Sequence, residues 1–322
     1  MPTLFYHRYW DVVGNDVTDM ALETLNHGTM FKKFGYILLA YEVHHAIKKK
    51  RGGLNGWFSL KLDMEKAYNQ VEWVFLNQIM LKVGIPGKLV PLIMDLVSGV
   101  TYSALVNGEQ CGYIVPSRGL RQKDPLSPYL FILYTEELIA LINTAVAKGD
   151  WKDIKVNIKG PVVSHLLFTD DALLFAWASV EECMVVKGML QLYENTSGQR
   201  VNYHKSAIAF SLNVGEELKR DICEVFGVAE VSSHAKYLGL PTVAGKSKVE
   251  LFDSITDRVQ SKVEEWQPKL LSRAGNEVLI KAVAQPIPCY AMQCFRFLAM
   301  FCDDLEAIMG RFWWGSSNGE KV

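Results

Sequence analysis

Three carboxylates carry the chemistry this sequence could perform: Asp63, and the adjacent pair Asp170 and Asp171. The stretch 166–175 reads Leu-Leu-Phe-Thr-Asp-Asp-Ala-Leu-Leu-Phe. Each apolar run is too short for a stable helix, so the segment reads as a hairpin of buried strands with Asp170 and Asp171 at its tip. A regular strand points neighbouring residues to opposite faces, so both carboxylates serve one site only where the backbone turns. Carboxylates held a few ångströms apart raise each other's pKa unless a cation neutralises them, and hard oxygen donors of this kind suit Mg2+. The chemistry would then be metal-assisted work on phosphates. An isolated Asp-Asp is more often a polar turn between strands. A second strand ending in an acid shifts that balance, and residues 58–63 supply one. Phe58, Leu60 and Leu62 alternate there with Ser59, Lys61 and Asp63, which ends the strand at Asp63 on the face opposite the apolar set.

The surrounding elements must bring these acids together. Helices are expected over 36–50, 71–83, 88–100 and 129–147, the last opened by Ser127-Pro128. A further helix begins at the capping box from Ser179 to Glu182 and runs to about residue 194, where Thr196-Ser197-Gly198 stops it. Asn107-Gly108 between two short apolar segments is a two-residue hairpin signal, with an unpaired residue near Gly112. Short strands follow around 200–202 and 206–210, with Lys205 between them. The order from 57 to 210 is strand, helices, hairpin, helix, hairpin, helix, strand. That is an α+β pattern, an antiparallel sheet with helices on one face. One more helix can start at Asp16 or Thr18, and the junction at 27–35 is abrupt, bringing one helical pattern into another with little turn chemistry.

Composition bounds the reading. The chain has 322 residues, 49% hydrophobic and 21% charged, which is enough for two or three packed subdomains. A formal net charge of -1 and a pI near 6.7 give no overall basic field, so any polyanion would have to be met by local patches. Arg118, Arg121, Gln122 and Lys123 form one such patch on the 116–128 loop, equally readable as an ordinary polar connection. The six cysteines include no CxxC pair and no zinc-like spacing, so reduced thiols inside a cell are expected. No apolar run reaches the roughly 20 residues of a bilayer span, and the first ten residues lack a signal pattern, so the chain reads as soluble and intracellular.

Five ordered segments resemble one family. They are Phe58-Ser-Leu-Lys-Leu-Asp-Met-Glu-Lys-Ala-Tyr-Asn-Gln-Val-Glu-Trp73, Arg118-Gly-Leu-Arg-Gln-Lys-Asp-Pro-Leu-Ser-Pro-Tyr-Leu-Phe131, Leu167-Phe-Thr-Asp-Asp171, Asn202-Tyr-His-Lys-Ser206 and Tyr237-Leu-Gly-Leu-Pro241. Their order and spacing are similar to those of reverse transcriptases, most of all the plant LINE-type (non-LTR) retrotransposons. The resemblance implies a polymerase palm over 56–242, partial fingers over 1–55 and a helical thumb-like region over 243–322. It implies an RNA-directed DNA polymerase that adds deoxynucleotides to a primer 3′-hydroxyl, with RNA template, DNA primer and deoxynucleoside triphosphates as partners. The alternative is a degenerate transposon-derived chain, inactive or at most binding nucleic acid.

By that resemblance Asp63, Asp170 and Asp171 hold two Mg2+ ions, and Lys205 assists the leaving pyrophosphate. Tyr68, Arg121 and Gln122 meet the nucleotide, and Tyr237, Leu238 and Gly239 grip the primer. The sequence also departs from the family. A basic fingers block with its Arg-Pro-Ile motif is expected between Met30 and Phe31 and is absent, which accounts for the abrupt junction. Lys123 stands at a family glycine, where its side chain is expected to block the pocket or pair with Asp124; Asn69 replaces an Asp and Thr169 an Ala. Trp313 and Trp314 close the last helix, as core or interface residues before base-stacking ones.

Overall fold

The computed structural model describes residues 28–53, 55–156, 160–168, 171–234, 236–242, 248–266 and 271–315. The chain divides into two compact units, Met1–Lys33 with Glu42–His234, and Phe34–Tyr41 with Ala235–Val322. Helix α1 (Gly28–Lys49) contributes to both. It runs unbroken through 30 and 31, so the described part of the abrupt junction, from residue 28, is continuous helix. No proline interrupts the segment, and nothing in it forces a stop. The expected helix near Asp16 lies outside the described residues.

The first unit is built on strand β1 (Trp57–Asp63), whose alternation sets which of its side chains face the core. Three 3₁₀ and helical segments come next: Ala67–Gln70, α2 (Trp73–Lys82) and α3 (Leu89–Ser98). After the ribbon β2 (Tyr102–Val106) and β3 (Glu109–Ile114) comes the long α4 (Ser127–Lys148). Two short strands, β4 (Ile154–Lys155) and β5 (Val162–Val163), precede the hairpin β6 (His165–Phe168) and β7 (Asp171–Trp177). Helix α5 (Val180–Ser197), β8 (Ala207–Phe210), α6 (Glu216–Phe226) and β9 (Ala229–Glu230) complete it. The main sheet has the order β6-β7-β1-β8-β9, antiparallel except for the β8–β9 pair.

Phe58, Leu60 and Leu62 project from one face of β1 and are fully buried, joined by Ala172, Leu174 and Ala176 of β7 and Ile208 and Phe210 of β8. Helices α4, α5 and α6 close over this face with Leu138, Ile142, Val186, Leu190, Ile222 and Phe226. A second core, formed by Leu76 and Met80 of α2, Val90 of α3 and Leu130, Phe131 and Tyr134 of α4, lies under the loop bearing Leu120. Helix α4 is long and apolar enough to cross a membrane by length and composition, and its buried stripe serves both cores.

The opposite face of the sheet is not bare, which corrects the expectation of helices on one face only. Leu173 and Phe175 point there and are completely buried, and His44 of α1 packs edge-on against Phe175 at 5.9 Å. A strand covered on both faces needs apolar residues on both, so the unbroken run Ala172–Ala176 already carried this information.

The turn chemistry resolves as the sequence implied. Ser179 Oγ accepts from the Glu182 amide at 3.2 Å, and Gly198 ends α5 in the left-handed conformation. Asn107 and Gly108 both take positive φ between β2 and β3, and the ladder shifts register between Tyr102 and Ala104 opposite Gly112, itself at positive φ. This ribbon exposes Leu105, Val106, Tyr113 and Ile114. A two-stranded ribbon without a buried face is marginal in water. Its amides are expected to exchange with solvent at close to random-chain rates while those of β1 and β7 stay protected; equal protection in the two sheets would contradict this.

The second unit contains the hairpin β10 (Lys236–Tyr237) and β11 (Leu240–Pro241) and a helical set, α7 (Lys248–Trp266), α8 (Arg273–Leu279), a π-helical turn (Ile280–Ala284), α9 (Pro286–Met292) and α10 (Ala299–Trp314). Val259, Val263, Leu305 and Ile308 are buried in it, and Trp266 packs on Phe312 with centroids 5.6 Å apart. Trp313 is half-buried and Trp314 is exposed. Among the described residues no cysteine forms a disulfide.

Candidate active site

Antiparallel register fixes the site. Asp63, the last residue of β1, lies directly opposite Asp171, the first residue of β7. Directly opposed residues share a face with their Cβ atoms about 5 Å apart, so the two carboxylates stand side by side at the solvent edge of the sheet. Asp171 is therefore a strand residue. Phe168 pairs with Asp171 across the hairpin. Asp170 itself lies outside the described residues. Among the described residues no group of three or more acidic, histidine or cysteine side chains is arranged to hold a metal.

Asp63 is held from behind by the segment that carries Lys205. The Asn202 amide donates to the Asp63 carbonyl at 2.8 Å, while the Asp63 amide donates to Ser206 Oγ at 3.1 Å. Ser206 Oγ in turn donates to the Asn202 carbonyl at 2.9 Å. The Glu65 amide donates to the Arg200 carbonyl at 2.8 Å, and Met64 bridges to Val201. Lys205 is thereby tied through a tight turn to the strand end that bears Asp63. Two contributors the sequence reading passed over are Ser206, buried in this clamp, and Lys61, whose Nζ lies 3.8 Å from Asp171 Oδ1. Lys61 was findable, because it lies two residues before Asp63 and so shares its face.

The Tyr68 region and the 118–124 loop form a second assembly. The Gly119 and Leu120 amides donate to the Val71 and Tyr68 carbonyls at 2.8 Å each, and Trp73 Nε1 donates to the Gly119 carbonyl at 2.8 Å. Gly119 has φ +96, and a Cβ there would meet the Asn69 carbonyl oxygen at 3.2 Å, so only glycine allows this approach. Tyr68 stacks on Phe131 with centroids 4.8 Å apart. Arg118 pairs with Glu72 at 3.1 Å. Gln122 and Lys123 are exposed. Behind them, burial pushes the Tyr134 phenol up to about 12; its oxygen accepts from the Glu72 amide at 3.1 Å and its hydroxyl donates to the Ser197 carbonyl.

Asp124 is committed to Arg121 at 2.7 Å and accepts from the Leu126 amide at 2.8 Å, so the expected Lys123–Asp124 pairing gives way to an Arg121 pair. Lys123 instead adopts φ 66, the left-handed backbone that favours glycine. Lys123→Gly is expected to raise stability by roughly 0.5 to 1 kcal/mol, because relief of the left-handed strain outweighs the extra freedom of the unfolded chain. Urea melts check this, and a lower midpoint for the glycine variant would contradict it.

Tyr237, Leu238 and Gly239 belong to the second unit. Leu238 (φ 50) and Gly239 (φ 82) form the two-residue turn between β10 and β11, and Tyr290 Oη donates to the Leu238 carbonyl at 2.6 Å.

Comparison with known proteins gives the following. A family profile described as reverse transcriptase (RNA-dependent DNA polymerase) matches residues 14–242. An uncharacterized mitochondrial protein of Arabidopsis thaliana is 49% identical over 73 residues, 23% of this chain and 60% of that protein. A retrovirus-related Pol polyprotein from a type-2 retrotransposable element of Drosophila melanogaster is 25% identical over 167 residues, 52% of this chain and 13% of the polyprotein. A similar polyprotein from a type-1 element of Popillia japonica is 27% identical over 132 residues, 41% of this chain and 21% of its own length. The chain thus spans less than two thirds of the length of each of these relatives. Among solved structures, the apo telomerase of Candida tropicalis aligns over 84% of this chain and 48% of its own, at 14% identity and a TM-score of 0.45.

Proposed function

Since this chain belongs to the reverse transcriptase (RNA-dependent DNA polymerase) family and is a domain of the non-LTR retrotransposon kind, we propose that it extends a DNA primer on an RNA template. The observation that carries this reading is the register that sets Asp63 opposite Asp171 on one face of β1 and β7. In this reading the sheet with α4, α5 and α6 is the palm (56–242), the residues before it are partial fingers (1–55), and the helical region after it is thumb-like (243–322).

The donor set fits a hard divalent cation. It consists of carboxylate oxygens on facing residues at the ends of two adjacent strands. Asp63 and Asp171 would hold Mg2+, joined by Asp170 from the hairpin connection. Bound there, two such ions would supply the charge stabilisation on which in-line phosphoryl transfer depends. The chain's own part is positioning. The Asn202–Ser206 clamp fixes the backbone of Asp63 and, with it, the turn from which Lys205 would give a proton to the departing pyrophosphate. Tyr68, held by its stack on Phe131, would reject a 2′-hydroxyl by bulk, and Gln122 and Arg121 would meet the incoming nucleotide. Tyr237, Leu238 and Gly239 would grip the primer end.

Primer extension on an RNA template with Mg2+, wild type against Asp170→Asn, tests the reading; equal silence of both proteins would refute it. A second reading, a chain that retains the palm without turnover, is favoured by Lys123 in a glycine conformation and by α1 running through the junction where the fingers block is expected. That reading expects salt-dependent RNA binding that survives loss of the aspartates, together with extension rescued only by Lys123→Gly and a restored fingers block.

A further inference from the structure

Asp63 and Asp171 are directly opposed on one face, so without a cation they repel each other. Lys61 and Asp171 sit diagonally across the same strand pair, in the register Lys61↔Leu173 and Asp63↔Asp171, and their charged ends are 3.8 Å apart. Both side chains are about one third exposed, 30% and 35%. Water therefore reaches the pair, whose charged ends meet at the long end of the ion-pair range. An ammonium on a flexible four-carbon stem is a point charge that can be displaced.

We propose that Lys61 is an internal counter-cation that occupies Asp171 when no divalent ion is bound, and that it competes with that ion for the site. This rests on reading Asp63 and Asp171 as metal ligands. A bound dication would meet the ammonium as a like charge, so metal entry requires the Lys61–Asp171 contact to open. Lys61 thus sets how much free metal is needed to load the site, and it keeps the acid pair together until loading. It is a positioning residue, acting through Asp171.

The test is Mn2+ binding to the full chain at low ionic strength, read from the electron-spin signal of free Mn2+. Wild type, Lys61→Met, Lys61→Gln, Lys61→Arg and Asp171→Asn are compared, with circular dichroism confirming that each is folded. The two neutral variants are expected to bind Mn2+ about two- to fivefold tighter than wild type, the range an exposed ion pair supports. Lys61→Arg is expected to stay within about twofold of wild type, and the difference is expected to close as salt screens the pair. If wild type binds and loses binding on Asp171→Asn while both neutral variants bind equally or more weakly, the competition is overturned and the metal site stands. If wild type does not bind, or binds equally after Asp171→Asn, the metal reading fails and the competition fails with it.

Discussion

Asp171→Asn and Asp63→Asn are each expected to abolish primer extension while leaving the fold intact. Metal-held carboxylates supply several kcal/mol of transition-state stabilisation, so either change is expected to cost about 10³-fold or more in rate. Both residues are half-exposed strand ends outside the cores. Asn at either position relieves the repulsion across Asp63–Asp171, and Asn at 171 also loses the weak Lys61 pair, so stability is expected to change by less than about 1 kcal/mol. Extension assays paired with melts decide the point. Loss of activity with a large drop in stability would reassign these acids to a structural role.

Acid is expected to destabilise the first unit through two histidines. His234 is buried against β1, its Nε2 donating to the Ser59 carbonyl at 3.0 Å with Ser59 Oγ also at 3.0 Å, and His44 edge-on at 5.2 Å. Burial first, then His44 and Lys61 nearby, pushes its imidazole down to about 3, and burial pushes His165 down to about 4. Both are neutral in the folded protein at pH 5, whereas in the unfolded chain they bind protons near their ordinary 6.5. Between those values the unfolded state holds more protons, so stability rises with pH and is lost as pH falls below about 6.5. From pH 7.5 to 5 the loss is expected to be about 2 kcal/mol per histidine. Chemical melts across that range, with NMR titration of the imidazoles, measure it. A flat profile, or a His234 that titrates near 6.5, would contradict the burial account.

Much of the site was legible because its signals are local. Alternation at 58–63 put Asp63 on the polar face, the flanking runs made a hairpin of 166–175, and Ser179, Gly198 and Asn107-Gly108 marked where elements begin, end and turn. What was not legible depends on long-range pairing. Period-2 alternation assigns faces but not register, so nothing local says that Asp63 meets Asp171 and not a residue two positions on. The Ser206 clamp joins residues 143 apart, beyond any periodicity. Helix α6 went unread because its charged outer face resembles a solvated loop, and only Ile222 and Phe226 are buried in it. The α1 junction misled for the opposite reason: nothing in the sequence stops the chain there, and residues 28–49 run as one helix.

The most direct measurement of the central claim is a crystal structure grown with Mn2+, read by anomalous scattering. The expected result is metal density flanked by the carboxylates of Asp63 and Asp171, lost in the Asp171→Asn protein. Density elsewhere on the chain, or none between those two side chains at saturating Mn2+, would contradict it.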